Sequence, residues 1–133
     1  MFISKKDINN LEKIASSHPN GIARILIHDQ FSEKVQLMCI AFKKGKRYPP
    51  ISDNCEGWIT FLVLKGSLTI RTYDLENNKK ISCNKLLGNE FLKIPRNLYR
   101  ETIGANDQAS IFVEIVEGGF DKSKRLSMKE SVV

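Results

Sequence analysis

The chain has 133 residues, and 21 lysines and arginines against 15 aspartates and glutamates give it a formal charge of +6. This length suits one compact domain, and 41% hydrophobic with 27% charged residues excludes a disordered or fibrous chain. Only two histidines are present, which excludes a metal site built from many histidines.

A short helix is predicted at the start of the chain, over residues 4–17. Ser4 is a suitable N-terminal cap, Asp7 stands three residues later, and apolar residues follow at helical spacing. A proline and a glycine soon after this segment end the helix. We therefore assign residues 1–20 to an N-terminal helix and cap.

After residue 21 the pattern changes from helical spacing to alternation, which predicts short strands and no second helix. The pair Pro49-Pro50 marks an extended segment that cannot be a central strand, because proline donates no ladder hydrogen bond. Eight or so strands predict an all-β antiparallel sandwich or barrel over residues 21–120, followed by a polar tail over 121–133. The predicted strands are residues 24–28, 35–42, 58–64, 67–73, 80–86, 90–94, 99–103 and 110–116.

The cysteines and the distribution of charge limit the kinds of metal site and binding partner that we expect. Cys39, Cys55 and Cys83 are odd in number and lack paired spacing, which argues against a disulfide framework or a zinc cluster. Without a signal peptide or an apolar span of ~18 residues, we expect a cytoplasmic protein and no membrane partner. The positive charges are scattered, so we expect no nucleic-acid partner, whereas a basic pocket for an anionic small molecule fits +6.

Two stretches of the chain resemble known motifs. Gly45 and Gly66 resemble the outer glycines of the first cupin motif, G-x5-H-x-H-x3-4-E-x6-G. Gly88 and Pro95 resemble the second, G-x5-P-x-G-x2-H, with one extra residue before the proline. A wider resemblance is to the WbuC-type cupin-fold proteins of the RmlC-like superfamily, and it implies a double-stranded β-helix, or jelly-roll barrel. The segments that carry it are residues 24–28, 34–38, 48–50, 58–66, 94–100 and 114–121.

The usual metal ligands of that family are replaced in this chain. On this alignment the four ligand positions hold Ile51, Asp53, Ile59 and Arg100. A divalent metal needs three or four nitrogen or oxygen ligands, and of these four residues only Asp53 is one. We therefore predict no metal and no other cofactor, with the two isoleucines filling part of the cavity. A cupin metalloenzyme with carboxylate-rich coordination is a third, weaker interpretation.

The resemblance also suggests a ligand pocket. Asp53 and Arg100 form either a structural ion pair or a site in which Arg100 binds a phosphate or carboxylate. In the second case Asp53 holds Arg100 or binds a sugar hydroxyl. Catalytic residues stay unassigned, with His28 and Tyr99 as weak candidates for acid–base chemistry. The predicted pocket residues are Gln36, Met38, Tyr48, Asp53, Trp58, Arg100 and Glu114.

The function implied by the resemblance is that of a metal-free cupin in bacterial surface-polysaccharide synthesis, of O-antigen or capsule. Such a protein would bind, isomerise or epimerise an anionic sugar or nucleotide-sugar. The alternative is a non-catalytic scaffold or interaction module with a degenerate site. Whether the chain is an enzyme stays open. We expect a homodimer, because small cupins commonly pair through edge strands and pairing covers exposed ladder groups.

Overall fold

The computed structural model describes residues 1–30 and 32–129, so the last four residues of the predicted tail lie outside the described residues. Two five-stranded antiparallel sheets form the molecule, with strand orders β1-β2-β9-β4-β7 (sheet A) and β10-β3-β8-β5-β6 (sheet B). The predicted all-β barrel with a short N-terminal helix is confirmed. The elements are α1 Lys5–Ser17, β1 Ile22–Leu26, β2 Val35–Phe42, β3 Arg47–Ser52, β4 Trp58–Lys65, β5 Leu68–Tyr73, β6 Lys80–Leu86, β7 Phe91–Pro95, β8 Tyr99–Gly104, β9 Ser110–Glu117, the 3-10 turn Lys122–Lys124 and β10 Leu126–Ser127.

Helix α1 begins with a capping box. The Ser4 hydroxyl accepts a hydrogen bond from the Asp7 backbone nitrogen at 3.2 Å, and the Asp7 carboxylate accepts one from the Ser4 backbone nitrogen at 2.8 Å. Leu11 and Ala15 are buried against the outer face of sheet A, where Cys39 lies beneath them. Among the described residues, no helix is long and apolar enough to cross a membrane.

The core lies between the two sheets. Alternate residues of each strand point inward, and the rings of Phe42 and Phe112 meet edge to face with centroids 5.1 Å apart. The buried residues of this core are Ile22, Ile40, Phe42, Ile59, Phe61, Val63, Leu68, Ile70, Leu86, Ile94, Phe112 and Val116.

Strand β3, which contains the two prolines, lies in sheet B between β8 and β10. Its ladder with β10 includes only Ile51 and Ser52, so Tyr48-Pro49-Pro50 is not paired with strands on both sides. The ladder with β8 is irregular between Tyr48 and Ile51, and Pro49 and Pro50 stand in that gap, where no amide is needed. Such a bulge also turns side chains, so Tyr48 and Ile51 both face the space between the sheets.

The segment predicted as a polar tail returns to the barrel. We call residues 118–128 the strap. The Gly118 amide donates to the Lys34 carbonyl at 2.6 Å, and the Met128 amide donates to the Pro50 carbonyl at 3.1 Å. Between these points, β10 pairs with the last two residues of β3. The strap therefore joins the open side of sheet B to the loop before β2.

Candidate functional site

A cavity of about 380 Å³ lies between the two sheets. Its wall comes from β1, β2 and β9 of sheet A, from β3 and β8 of sheet B, and from the strap. Apolar side chains continue into the core, and polar ones gather around the open space. The charged and polar residues of the wall are Arg24, Gln36, Tyr48, Asp53, Arg96, Arg100, Thr102, Glu114 and Arg125.

The centre of this site is the carboxylate of Asp53, which is 4% exposed. Its Oδ2 accepts hydrogen bonds from Arg96 Nε at 3.0 Å and from Arg100 Nη1 at 3.3 Å. Its Oδ1 accepts one from Arg125 Nη2 at 3.4 Å. One carboxylate thus meets three guanidinium groups, and the cluster of four side chains keeps a net positive charge.

These three arginines decide the ionisation of Asp53. Burial by itself would raise the pKa of the Asp53 carboxyl. The positive charges of Arg100, Arg96 and Arg125 and the hydrogen bond from Arg96 together outweigh burial, and they hold the pKa below its ordinary value of 3.8. Asp53 is therefore ionised at any physiological pH.

Arg96 is one of three cavity arginines that sequence reasoning missed, and the others are Arg24 and Arg125. Arg96 is 1% exposed, and its Nη1 also donates to the backbone oxygens of Glu117 and Gly119, at 3.0 Å each. Gly118, between these two residues, has a φ of +99°, and a Cβ there would lie 3.0 Å from Arg96 Nη1. Arg96 therefore fixes the beginning of the strap to Asp53. The motif resemblance leaves its position unspecified and so gave no signal for it.

Glu114 is the second acid of the cavity, on β9 between the core residues Phe112 and Val116. Burial raises the pKa of its carboxyl, and the positive charges of Arg100 and Arg24 only partly oppose this effect. Of the two acids of the cavity, Glu114 is therefore the one that more readily carries a proton.

Six of the seven predicted pocket residues line the cavity, and Trp58 does not. In β4 the odd-numbered residues, such as Ile59, face the core, so Trp58 at the start of the strand points outward. It is 43% exposed, with Lys93 Nζ 5.1 Å from its ring centroid. The six that line the cavity are Gln36, Met38, Tyr48, Asp53, Arg100 and Glu114.

The two weak catalytic candidates lie away from the cavity wall. His28 follows β1, and its Nδ1 is 3.2 Å from both the backbone nitrogen and the oxygen of Leu37. Tyr99 is buried next to Arg100 in β8, and adjacent strand residues point to opposite faces. The structure therefore does not bring His28 and Tyr99 together at a ligand.

The two isoleucines that align with metal-ligand positions of the resembled family lie in different parts of the barrel. Ile51 lines the cavity, whereas Ile59 is fully buried in the core. The expectation that both fill part of an ancestral ligand space remains a prediction, since it depends on the alignment.

Solved structures with a similar fold are cupins and related proteins. An oxalate oxidase in complex with glycolate has a TM-score of 0.64 and 20% identity over 77% of this chain and 54% of its own. CapF with 3-isopropenyl-tropolone has a TM-score of 0.68 and 16% identity over 81% and 32%. An RmlC-like cupin protein from Desulfovibrio desulfuricans has a TM-score of 0.53 and 21% identity over 71% and 81%.

This chain has the cupin fold. It spans about half the length of the oxalate oxidase chain. No protein-family model and no curated protein sequence matches it. At identities this low the similarity defines the fold alone, so the WbuC-type assignment stays a prediction.

The residues of this chain do not fit a divalent metal at the position that the resemblance indicates. Among residues 1–30 and 32–129, no group of three or more histidine, cysteine, aspartate or glutamate side chains could hold a metal ion. Both oxygens of Asp53 accept hydrogen bonds from arginines, and Arg100 and Arg96 would repel a cation placed there. The arrangement instead offers positive charge to an anion.

Proposed function

We propose that this cupin binds an anionic sugar in its cavity through arginine side chains and without a metal ion. The observation that carries the proposal is the composition of the cavity wall, which holds four arginines against two acids. One of those acids, Glu114, has a pKa raised by burial, so the excess of positive charge is larger still at moderately acidic pH. An anion therefore gains from entering this space.

The chemistry of the wall suits a sugar in particular. Guanidinium groups bind phosphate and carboxylate through paired hydrogen bonds. Tyr48 and Thr102 offer hydroxyl groups to a polyol, and Phe112 and Phe120 offer apolar surface to the carbon face of a ring. If the resemblance to WbuC-type cupins is correct, such a ligand would belong to bacterial surface-polysaccharide synthesis.

Isomerisation or epimerisation would require a side chain that moves a proton at the ligand. Glu114 is the residue of the wall best suited to this role, because it lines the cavity and burial raises the pKa of its carboxyl above the ordinary value of 4.5. We therefore place any acid–base chemistry of this cupin at Glu114 rather than at His28 or Tyr99.

A non-catalytic scaffold is the second candidate. This candidate is favoured because both carboxylate oxygens of Asp53 accept hydrogen bonds from arginines of the protein itself. Asp53 is the only one of the four aligned metal-ligand positions with a side chain that could bind a metal. Such a protein would keep the barrel and its ion cluster for stability, and would give no response to small anions.

Thermal-shift screening separates these two functions. We expect sugar phosphates and uronates to raise the melting temperature in proportion to the logarithm of their concentration, while the matching neutral sugars have no effect. Absence of stabilisation by every anionic sugar, at millimolar concentration and low salt, would reject the binding function in favour of the scaffold.

A further inference from the structure

We propose that Arg24 and Arg125 hold the anionic group of the ligand, and that this ligand is a monosaccharide bearing one oxyanion, either phosphate or carboxylate. The inference rests on the proposed function and adds which of the four arginines contact the ligand and how large the ligand is.

Two of the four arginines are already engaged inside the protein. Arg96 makes three hydrogen bonds, one to Asp53 and two to the backbone. Arg100 is 7% exposed and forms an ion pair with Asp53. Drawing either guanidinium toward a ligand would leave the Asp53 carboxylate buried with fewer partners, which is costly.

Arg125 is held much more loosely. Its side chain is 32% exposed, and its ion pair with Asp53 is the longest of the three, at 3.4 Å. Its Nε is buried and has no hydrogen-bond partner among the described residues. The guanidinium lies 4.7 Å from the ring centroid of Phe120, a contact that orients its plane without using its N–H groups. An oxyanion in the cavity would therefore find donors available on Arg125.

Arg24 supplies the second free positive charge. It is exposed on β1, lines the same cavity, and makes no ion pair within residues 1–30 and 32–129. Arg24 and Arg125 both line this cavity, Arg24 from β1 and Arg125 from the strap. An anion bound there gains both interactions and leaves the hydrogen bonds from Arg96 and Arg100 to Asp53 in place.

The cavity volume limits the size of the ligand. Its 380 Å³ lies near the lower end of the ~300–1,000 Å³ that is usual for small-molecule pockets. A monosaccharide with one phosphate or carboxylate uses such a space well. The nucleotide of a nucleotide-sugar would extend outside it and gain little from its walls.

Isothermal titration calorimetry tests the inference with glucose 1-phosphate, glucuronate, glucose and UDP-glucose. We expect at least one of the two sugars with a single anionic group, glucose 1-phosphate or glucuronate, to bind and neutral glucose not to bind. Arg24→Gln and Arg125→Gln should each raise the Kd at least about tenfold, since each removes a charge-assisted hydrogen bond. Lys124→Gln is the matched control: it removes the same charge from the same strap but lies outside the cavity, and should change the Kd less than about twofold.

Two results would overturn the inference while the proposed function stands. One is a wild-type protein that binds a sugar anion while both arginine variants behave like Lys124→Gln. The other is UDP-glucose binding more than about tenfold tighter than both glucose 1-phosphate and glucuronate, which would contradict the size limit. Failure of the wild-type protein to bind any anionic sugar would instead reject the proposed function. Should Arg125→Gln impair the strap, Arg24→Gln still tests the inference, because Arg24 makes no ion pair with any other described residue.

Discussion

The apolar core and the charged cavity occupy the inward side of the same strands, yet they are stabilised in different ways. On β9, Phe112 belongs to the core and closes the apolar end of the cavity, whereas Glu114, two residues later, supplies a charge to the cavity wall. The core depends on close packing and removal of apolar surface from water. The cavity depends on charge compensation around Asp53. Strand alternation decides that both sets point inward, and only the residue type at each position decides which of the two regions forms.

The largest loss of stability is expected from a substitution in the apolar core. Phe61 on β4 is fully buried, and Phe61→Ala should lower the free energy of unfolding by about 3–5 kcal/mol, because it removes apolar contacts and leaves a void. Urea denaturation followed by circular dichroism measures the loss. On the same strand, Leu64→Ala is the control, since Leu64 is 39% exposed and should cost less than about 1 kcal/mol. Equal losses in the two variants would contradict the assignment of the core.

The second largest loss of stability is expected from a substitution in the arginine–aspartate cluster of the cavity. Asp53→Asn keeps the shape of the side chain but leaves three arginines without their shared counter-charge, and we expect a loss of about 3 kcal/mol at pH 7. The folded pKa of Asp53 lies below its ordinary value of 3.8, so its contribution is complete above that value and disappears as the pH falls below it. The gap between variant and wild type should therefore close in acid. A gap of constant size from pH 7 to pH 3 would show that charge is not the cause.

A smaller loss of stability is expected for Arg100→Ala, which tests whether Arg100 is a structural or a ligand-binding arginine. Arg100→Ala leaves Asp53 with its hydrogen bonds from Arg96 and Arg125, so we expect a loss of only about 1–2 kcal/mol. The response to a sugar anion in a thermal-shift assay should be retained. If stability were unchanged and the response were abolished, Arg100 would instead be the residue that binds the anion.

The smallest expected change is an increase in stability, caused by a substitution of Glu114. Because burial raises the pKa of Glu114 above its ordinary value of 4.5, ionising this carboxyl opposes folding, and stability falls as the pH rises through the folded pKa. Glu114→Gln removes that cost. We expect the variant to gain stability relative to the wild type as the pH rises above 4.5, measured by urea denaturation between pH 4 and pH 8. A variant that becomes relatively less stable as the pH rises would show that Glu114 is stabilised as an anion.

Local signals in the sequence predicted much of the fold. The capping pair Ser4 and Asp7 marks the start of the helix, and the alternation of β2 places Gln36 and Met38 on the inward side. Trp58 shows the limit of this reasoning, because a shift of one residue along a strand moves a side chain to the other face.

The contacts that organise the site depend on residues far apart in the chain. Arg96 lies 43 residues from Asp53, and Arg125 lies 72 residues from it. No periodic pattern relates residues at such separations. Strand β10 has only two residues, too few for alternation to be visible, so the strap and its arginine could not be assigned to the cavity from the sequence.

Elemental analysis of the protein, purified without an affinity tag and without chelator, tests most directly whether an arginine–aspartate cluster stands where cupins of the resembled family hold a metal. The structure predicts zinc, iron, nickel and manganese far below one atom per chain, with binding of sugar anions unchanged by EDTA. One equivalent of any of these metals, with sugar binding lost on its removal, would contradict the account.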